Sequence, residues 1–318
     1  MRVLVTGATG FLGSRCMRVL ADRGFSPIGT GRQTARAPEG FEFVGADLSR
    51  AETLAALPKV AAVVHCAARS SPWGRGEDFE RDNVLATANL LQWAEKTGVT
   101  RFVHISTPAL YFAFRDQFDV GEDAPQDRPI NLYAKTKAQA EQVVQASPLS
   151  TLILRPRAIY GPGDTALLPR LERAIAAGPL PLLRDGAALT NLTHVDDVCD
   201  AIAISLKYDT NYPVLNIAGD EAVKLKSLVE KVAEYRDLKL RWRAMPTPLV
   251  FGAAKGLEWV YRGLSLSGEP RFTQYSAGIF AFSLTLSVHR AKSELGWVPK
   301  VSIDRGLESA LGMQELSK

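Results

Sequence analysis

A glycine-rich turn directly behind an apolar strand is the feature that most constrains the fold of this chain. The run Met1–Thr6 is apolar and β-prone, and three glycines follow at a three-residue spacing, Gly7, Gly10 and Gly13. Apolar residues then recur at helical spacing. In such a strand–turn–helix unit, glycines let the backbone approach a pyrophosphate at the N-terminus of the helix. The segment predicts a dinucleotide-binding turn, with an ordinary glycine-rich βα turn as the alternative.

Tyr133 and Lys137 stand four residues apart in the stretch 131–141, whose composition is typical of a helix. Both side chains therefore lie on one face, one turn apart. A phenol has an ordinary pKa of about 10, and an adjacent ammonium lowers that value by favouring the phenolate. Exposed helices carry such pairs by chance, so this pair gains its meaning from the glycine-rich turn upstream.

Apolar runs of strand length alternate with helical stretches through the first half of the chain. This alternation predicts an α/β fold of the Rossmann type, a doubly wound parallel sheet with right-handed crossovers. Beyond Pro162 the pattern becomes irregular and prolines recur. The predicted strands are Val3–Thr6, Ser26–Thr30, Phe41–Val44, Ala61–His65, Phe102–Ser106, Thr151–Leu154 and Val214–Ile217.

Further motifs give the chain a resemblance to extended short-chain dehydrogenases/reductases, the group that includes the NAD-dependent epimerase/dehydratase superfamily. The glycine spacing and the Tyr-x-x-x-Lys pair are typical of that group. The resemblance implies a dinucleotide-binding lobe over residues 1–165, with return segments near 190–220 and 300–318, and a smaller, mainly substrate-binding lobe over 166–318. The other matching segments are Asp47-Leu48, 63–68, 83–91, 101–107, 154–164, 193–198 and 295–299.

The resemblance implies an enzyme whose catalytic group is a tyrosine. Tyr133 would exchange a proton with the substrate oxygen, and Lys137 would lower the pKa of Tyr133 and bond the nicotinamide ribose. The catalytic hydroxyl of this group lies four residues before an aromatic residue such as Tyr111, which selects Thr107. Ser106 is the second choice, because alternating side chains at a strand end let only one of the two face the site.

The same resemblance implies a set of cofactor contacts along the ends of the strands. Asn83 is expected on the cofactor side of the site, with a helix N-cap as the alternative. The predicted cofactor-binding residues are Gly7, Thr9, Gly10, Phe11, Leu12, Gly13, Arg32, Asp47, Leu48, Ala67, Ala68, Asn83, Ser106, Tyr133, Lys137 and Pro156.

The end of the second strand bears on the choice of cofactor. An NAD enzyme usually has an acidic residue there, which bonds the ribose hydroxyls and repels a 2′-phosphate. This chain has Gly31 at that position, followed by Arg32, whose guanidinium suits a phosphate. The sequence therefore predicts NADP(H) as the preferred cofactor, with NAD(H) possible and Arg36 as a weaker second cation. The alternative is that Arg32 is a surface arginine.

Composition narrows the class of protein. The net charge of +4 over 318 residues is spread without a basic block, so no nucleic-acid partner is expected. No apolar run approaches the roughly 20 residues of a membrane span. The three cysteines lack metal or redox spacing and are interpreted as reduced core thiols of a cytoplasmic protein. Met1 leads directly into the first strand, which predicts no signal peptide.

Two histidine-containing segments are interpreted as structural. His65 and His104 fall in apolar runs and are predicted to pack in the core. His194, Asp196 and Asp197 resemble a metal cluster, but the related proteins use this segment to cap a helix. No second histidine stands at ligand spacing, so no metal is expected.

The substrate is predicted from motifs that are missing. Dehydratases acting on nucleotide sugars carry Asp-Glu after the catalytic threonine, where this chain has Pro108-Ala109. Nucleotide-sugar epimerases carry asparagine where this chain has Ala158, and a late Arg-Pro-Gly-Asp where it has 268–275. The pattern is closest to 3β-hydroxysteroid dehydrogenase-like reductases and related β-keto acid reductases.

Three functions follow from these patterns in order of preference. The first is hydride transfer between NADP(H) and a ketone or secondary alcohol, with a steroid-like or β-keto acyl small molecule as substrate. The second is a nucleotide-sugar epimerase, and the third is a non-catalytic cofactor-binding regulator, whose mark would be loss of the tyrosine or lysine. The resemblance also implies a homodimer formed through helices near 79–97 and 131–147.

Overall fold

The computed structural model describes residues 1–126, 128–208, 212–264, 266, 268–270 and 272–312. The strands are β1 (Arg2–Thr6), β2 (Ser26–Gly31), β3 (Glu42–Gly45), β4 (Ala62–His65), β5 (Arg101–Ile105), β6 (Gln117–Val120), β7 (Ser150–Pro156), β8 (Ile159–Tyr160), β9 (Leu180–Leu182), β10 (Leu189–Asn191), β11 (Thr193–His194), β12 (Val214–Ile217), β13 (Ala222–Lys224), β14 (Trp242–Ala244) and β15 (Leu284–Leu286). The α-helices are α1 (Phe11–Asp22), α2 (Gly76–Phe79), α3 (Ala86–Thr97), α4 (Leu132–Gln145), α5 (Leu167–Ala176), α6 (Val195–Ser205), α7 (Leu225–Tyr235), α8 (Thr247–Gly263), α9 (Gln274–Ala281), α10 (His289–Leu295) and α11 (Ile303–Gly312).

The predicted strands form one parallel sheet in the order β12-β7-β5-β4-β1-β2-β3. Their observed ends differ from the predicted ones by at most two residues, and the doubly wound Rossmann-type fold is confirmed. The chain winds outward in one direction from β1 and in the other from β4. In such a sheet, ligands bind outside the carboxyl ends of the strands at the point where the order reverses.

Side chains on β1 alternate between the two faces of the sheet. Val3 and Val5 pack with α1 and α6 in one core, and Leu4 packs with α3 on the opposite face. Helices on both faces explain why strands such as β4 are apolar without a polar alternation. A π-helical turn, Glu80–Leu85, joins α2 to α3.

A second, smaller sheet has the order β13-β10-β15-β6. β6 comes from the first half of the chain, so the second layer takes in a strand from within residues 1–165. In the predicted return segment 190–220, α6 packs against α1 and β12 completes the parallel sheet.

In the predicted return segment 300–318, the N–H groups of Lys300 and Val301 bond Asp197 on α6, which packs against α1, and the return to the dinucleotide-binding lobe stays a prediction. α11 packs against β8 and shares a core with α5 and α7, because its apolar residues Leu307, Ala310 and Leu311 meet the buried Tyr160 there. The contact with the parallel sheet is made earlier in the chain, by α10 against β12. Residues 313–318 of the predicted segment lie outside the described residues.

No helix among the described residues is long and apolar enough to cross a membrane.

A buried ion pair ties α4 to β7. The Arg155 guanidinium donates two hydrogen bonds to Glu141, one of them from Nε to Oε1 at 2.8 Å, and a third to the hydroxyl of Tyr111. The two charged side chains are 3% and 4% exposed. Because neither charge can reach water, each depends on the other.

We predict that Glu141→Gln lowers the free energy of unfolding by about 3 kcal/mol, because it leaves the buried Arg155 charge without a counterion. The control is Glu52→Gln, which breaks an exposed pair with Arg50 and should leave the free energy of unfolding nearly unchanged, because water screens such a pair. Chemical denaturation of both variants measures the difference. Similar losses in the two would contradict a structural role for the buried pair.

Candidate active site

A cavity of about 1410 Å³ lies at the carboxyl edge of the parallel sheet. One side of it is formed by the segments that follow β1, β2, β4 and β5, and the other by α5, α9 and the residues before α9. Asn83 and Lys137 do not line it. The sequence-predicted residues that line it are Gly7, Thr9, Gly10, Phe11, Leu12, Gly13, Arg32, Asp47, Leu48, Ala67, Ala68, Ser106, Thr107, Tyr133 and Pro156.

The glycine turn has the form that a bound pyrophosphate requires. Gly7 has φ +65°, and a Cβ there would lie 2.9 Å from the backbone of Ala67. A Cβ on Gly13 would lie 2.2 Å from the carbonyl oxygen of Gly7. α1 begins after Gly10 with no side-chain cap, so its first N–H groups are left for a ligand. The turn therefore fits a dinucleotide cofactor.

Tyr133 lies in the first turn of α4. Asn131 caps this helix by accepting a 2.8 Å hydrogen bond from the backbone N–H of Ala134, which fixes where the helix begins. The Tyr133 phenol is within hydrogen-bond range of the Thr107 hydroxyl. Ser106 also lines the cavity, and its buried hydroxyl has no hydrogen-bond partner among the described residues.

The expectation that only one of the two hydroxyl residues faces the site differs from the structure. β5 ends at Ile105, so strand alternation no longer governs the next two residues. Both Ser106 and Thr107 line the cavity, and Thr107 is the one beside the tyrosine. Its hydroxyl also accepts a 3.2 Å hydrogen bond from the N–H of Ala109, which fixes its position.

The pKa of Tyr133 is shifted in the direction opposite to the sequence-based expectation. Burial raises it to about 12, and the hydrogen bond with Thr107 opposes that rise. Lys137 is not among the groups that shift this pKa, and its ammonium bonds His104 and Ile105 instead. In this structure Tyr133 is therefore protonated throughout the neutral range.

Lys137 is instead bonded to the end of β5. Its Nζ donates to the carbonyl oxygen of Ile105 at 2.7 Å and to Nε2 of His104 at 3.0 Å. An ammonium can only donate, so His104 is neutral, accepts at Nε2 and carries its proton on Nδ1. Burial, and then the Lys137 charge, hold the pKa of His104 well below its usual value. Burial lowers the pKa of Lys137 to about 8.

Asn83 lies behind the cavity wall and positions it. Its side chain is buried, accepts from the N–H of Arg69 at 2.7 Å, and donates to the carbonyl of Arg69 and to the Thr136 hydroxyl. It is not a helix N-cap, because it lies inside the π-helical turn. Asn83 thus joins the loop after β4 to α4, and a direct contact with the cofactor stays a prediction.

His65 has a positioning role that the sequence analysis did not identify. Its Nδ1 is 2.8 Å from the Thr6 hydroxyl and its Nε2 is 2.9 Å from the Thr87 hydroxyl. Thr87 donates its own proton to the carbonyl of Asn83, so it accepts from Nε2–H of the histidine. Burial, with a smaller contribution from Lys137, lowers the pKa of His65 to about 3 and keeps the ring neutral.

Arg32 is at the end of the cavity expected to hold the adenosine ribose. Its side chain is 58% exposed and its Nη1 lies 3.5 Å from a carboxylate oxygen of Asp82. Asp47 lines the same region. Partial burial raises the pKa of its carboxyl, but hydrogen bonds from Ser49 and the nearby Arg32 charge outweigh that effect and lower the pKa. Arg36 is exposed and does not line the cavity.

The segment around His194 caps α6. Nδ1 of His194 accepts from the N–H of Asp196, and Asp197 accepts from the backbone N–H groups of Lys300 and Val301. Among the residues that the structure describes, no three histidine, cysteine or acidic side chains are grouped to hold a metal.

The far wall of the cavity is mainly apolar. It is formed by α5, α9 and adjacent segments, and includes Leu167, Leu171, Leu180, Phe272, Ile279 and Phe280. The cavity therefore combines a cradle for a dinucleotide, a protonated phenol beside a threonine hydroxyl, and room for an apolar molecule.

Comparisons with known proteins agree with this geometry. Residues 3–218 match the model of the NAD dependent epimerase/dehydratase family. The protein YbjS of Escherichia coli is 34% identical, with 97% of this chain and 96% of that protein covered. A 2-alkyl-3-oxoalkanoate reductase of Stenotrophomonas maltophilia is 31% identical, with 96% and 97% covered. The structure of MoeE5 in complex with UDP-glucuronic acid and NAD is 26% identical, with a TM-score of 0.77 and full coverage of both chains.

The family match spans the glycine turn and the strands of the parallel sheet. The chain belongs to the NAD dependent epimerase/dehydratase family, within the extended short-chain dehydrogenases/reductases.

Proposed function

We propose that this enzyme uses NADP(H) to interconvert an apolar ketone and its secondary alcohol, with a β-keto acyl or steroid-like substrate. The observation that carries the proposal is the Tyr133 phenol beside Thr107, both lining a mainly apolar cavity next to the dinucleotide cradle. The related 2-alkyl-3-oxoalkanoate reductase supports this class of substrate.

Two further proposals are a cytoplasmic location and a lobe boundary near residue 165.

The protein's own residues account for the proton transfer. When bound, the nicotinamide cofactor supplies or accepts the hydride. Tyr133 holds the proton that the substrate oxygen takes up on reduction, and Thr107 orients the phenol and can bond the same oxygen. Lys137 fixes α4 against β5 through its bond to the carbonyl oxygen of Ile105, and we propose that it also bonds the nicotinamide ribose.

We also propose a homodimer through α3 and α4. Leu85, at the start of α3, is 47% exposed although it is a large apolar residue. It lies beside the outer faces of the two helices, which would form a four-helix interface.

Tyr133→Phe should reduce turnover by about 100-fold or more, because it removes the proton donor and keeps the ring. NADPH affinity should change little, whereas Lys137→Met should impair both binding and turnover. The matched control is Tyr275→Phe, which removes another phenol from the cavity wall and should cost less than about 10-fold. Turnover that survives in Tyr133→Phe would identify a different acid.

Arg32→Ala should remove most of a preference for NADPH over NADH, a change of about 10- to 100-fold for one charge-assisted phosphate contact. Arg36→Ala is the control, since Arg36 does not line the cavity. Gly31→Asp combined with Arg32→Ala should favour NADH, because the new carboxylate would bond the ribose hydroxyls and repel a 2′-phosphate. There is room for this side chain, since a Cβ at Gly31 would lie 3.6–3.9 Å from Thr9, an ordinary contact distance. Equal affinity of the unmodified protein for both cofactors, measured by fluorescence titration, would refute the NADP assignment.

The alternative function is nucleotide-sugar epimerisation, which the complex of MoeE5 with UDP-glucuronic acid favours. Ala158 and the apolar residues of the far wall give a diphosphate no partner, so Arg170 and Arg173 of the same wall would have to balance its two charges. Arg170 is already paired with Glu269 at 3.4 Å.

A reductase consumes its cofactor, whereas an epimerase returns the hydride to the same substrate. We expect stoichiometric loss of NADPH absorbance with a β-keto acyl substrate, and no interconversion of UDP-sugars by chromatography. Epimerisation without net change in the reduced cofactor would establish the alternative.

A further inference from the structure

α8 has an apolar face that no part of the described chain covers. Its inner face carries the buried Val250 and Ala254 and packs against α9. On its outer face, Leu249, Trp259 and Val260 are 60%, 76% and 39% exposed. A helix that is apolar on both sides is normally buried on both sides. The outer face of α8 therefore lacks a partner.

The exposed apolar residues of α8 form one stripe. They recur at i, i+3, i+4 and i+7, which places them on the same side of the helix. Small residues separate the large ones, so the stripe is free of polar side chains along its length. Its members are Leu249, Gly252, Ala253, Gly256, Trp259 and Val260. Beyond the helix, Leu264 and Leu266 are 68% and 45% exposed and extend the apolar surface.

The charges around this stripe are positive. Residues 241–264 contain one acidic side chain, Glu258, and four basic ones. Glu258 is directed toward α9, where it accepts hydrogen bonds from the backbone N–H and the side-chain amide of Gln274 at 2.8 and 2.9 Å. The basic side chains are exposed, and none forms an ion pair with a described residue. They are Arg241, Arg243, Lys255 and Arg262.

We propose that the outer face of α8 docks on the surface of an anionic lipid membrane. Trp259 and its apolar neighbours enter the boundary between headgroups and acyl chains, and the basic residues meet the lipid phosphates. Lys255 and Arg262 are seven residues apart, so both lie along one edge of the stripe and can contact the headgroups together.

A second copy of this chain fits the same face less well. In a twofold dimer a surface meets itself, so the basic surface around the stripe would face an equally basic one. Like charges brought together in this way oppose association. Anionic headgroups supply the opposite charge along with an apolar layer for Trp259.

Docking would also bring the cavity close to lipid. Phe272 and Phe280 line the cavity and belong to the same apolar cluster as Val250 of α8. The helix that contacts lipid thus packs on side chains that form the cavity wall, which suits an apolar substrate that partitions into membranes. This consequence rests on the proposed function, whereas the docking itself does not.

Sedimentation of the full chain with phospholipid vesicles tests the docking. Vesicles of phosphatidylcholine and phosphatidylglycerol in a two-to-one ratio should bind the unmodified protein. Vesicles of phosphatidylcholine alone should bind it about 10-fold more weakly or less, because they lack the negative charge. Binding to the anionic vesicles should weaken as salt is added, because salt screens the headgroups.

Trp259→Glu should weaken binding to the anionic vesicles by about 10-fold or more, because it places a negative charge in the apolar stripe. The matched control is Tyr208→Glu, which makes the same change of charge at an aromatic residue that is 59% exposed. The carbonyl of Tyr208 accepts from Arg101 at the start of β5, so this residue lies at the amino edge of the sheet, away from the cavity. The control should bind as the unmodified protein does.

A second variant leaves the stripe intact and keeps the test valid if Trp259→Glu does not fold. Lys255→Gln combined with Arg262→Gln should weaken binding to the anionic vesicles by about 10-fold or more. Arg18→Gln combined with Lys59→Gln removes two other exposed charges and is the control. The Tm of each variant without lipid checks that it is folded.

Three results would overturn the membrane-docking face. One is that the unmodified protein does not bind anionic vesicles. Another is that folded Trp259→Glu, or the folded Lys255 and Arg262 double variant, binds them as well as its control. The third is a lipid-free dimer, seen by sedimentation velocity, that Trp259→Glu dissociates and Leu85→Glu does not, which would assign the face to a second copy of the chain.

Discussion

The hydrogen bond from Lys137 to the carbonyl oxygen of Ile105 is the contact on which the geometry of the site depends. It joins α4, which carries Tyr133, to the end of β5, which leads into Thr107. Holding an ammonium in the core lowers its pKa from 10.5 to about 8, a cost on the order of 3 kcal/mol. The bonds to Ile105 and His104 offset part of that cost, and the result is a phenol and a hydroxyl brought together from distant segments.

A chain of neutral groups behind the cavity supports this contact. Thr6 donates to His65, His65 to Thr87, and Thr87 to the carbonyl of Asn83. The Asn83 amide then bonds the loop after β4 and Thr136 on α4. Because each donor has one acceptor, the tautomer of His65 is determined, and β1, β4 and α4 are held in one arrangement.

The sequence analysis predicted those elements whose structure depends mainly on residues close together in the chain. The apolar runs determine the strands of the parallel sheet, and the glycine spacing determines the turn, because Gly7 and Gly13 have no room for a side chain. The role of Lys137 was not predictable from its spacing to Tyr133. Its partners lie more than thirty residues away, and burial reverses the expected effect on the phenol. The same holds for β6 and α11, whose partners in the second layer come from remote segments.

The ionisable groups that line the cavity lie in different surroundings. At one end, Arg32 faces water and already has Asp82 as a partner, so an anionic ligand there would have to compete for it. Beside Thr107, burial raises the pKa of Tyr133, so the phenol keeps its proton near neutral pH. A neutral phenol that keeps its proton is suited to donate it to an oxygen that gains charge.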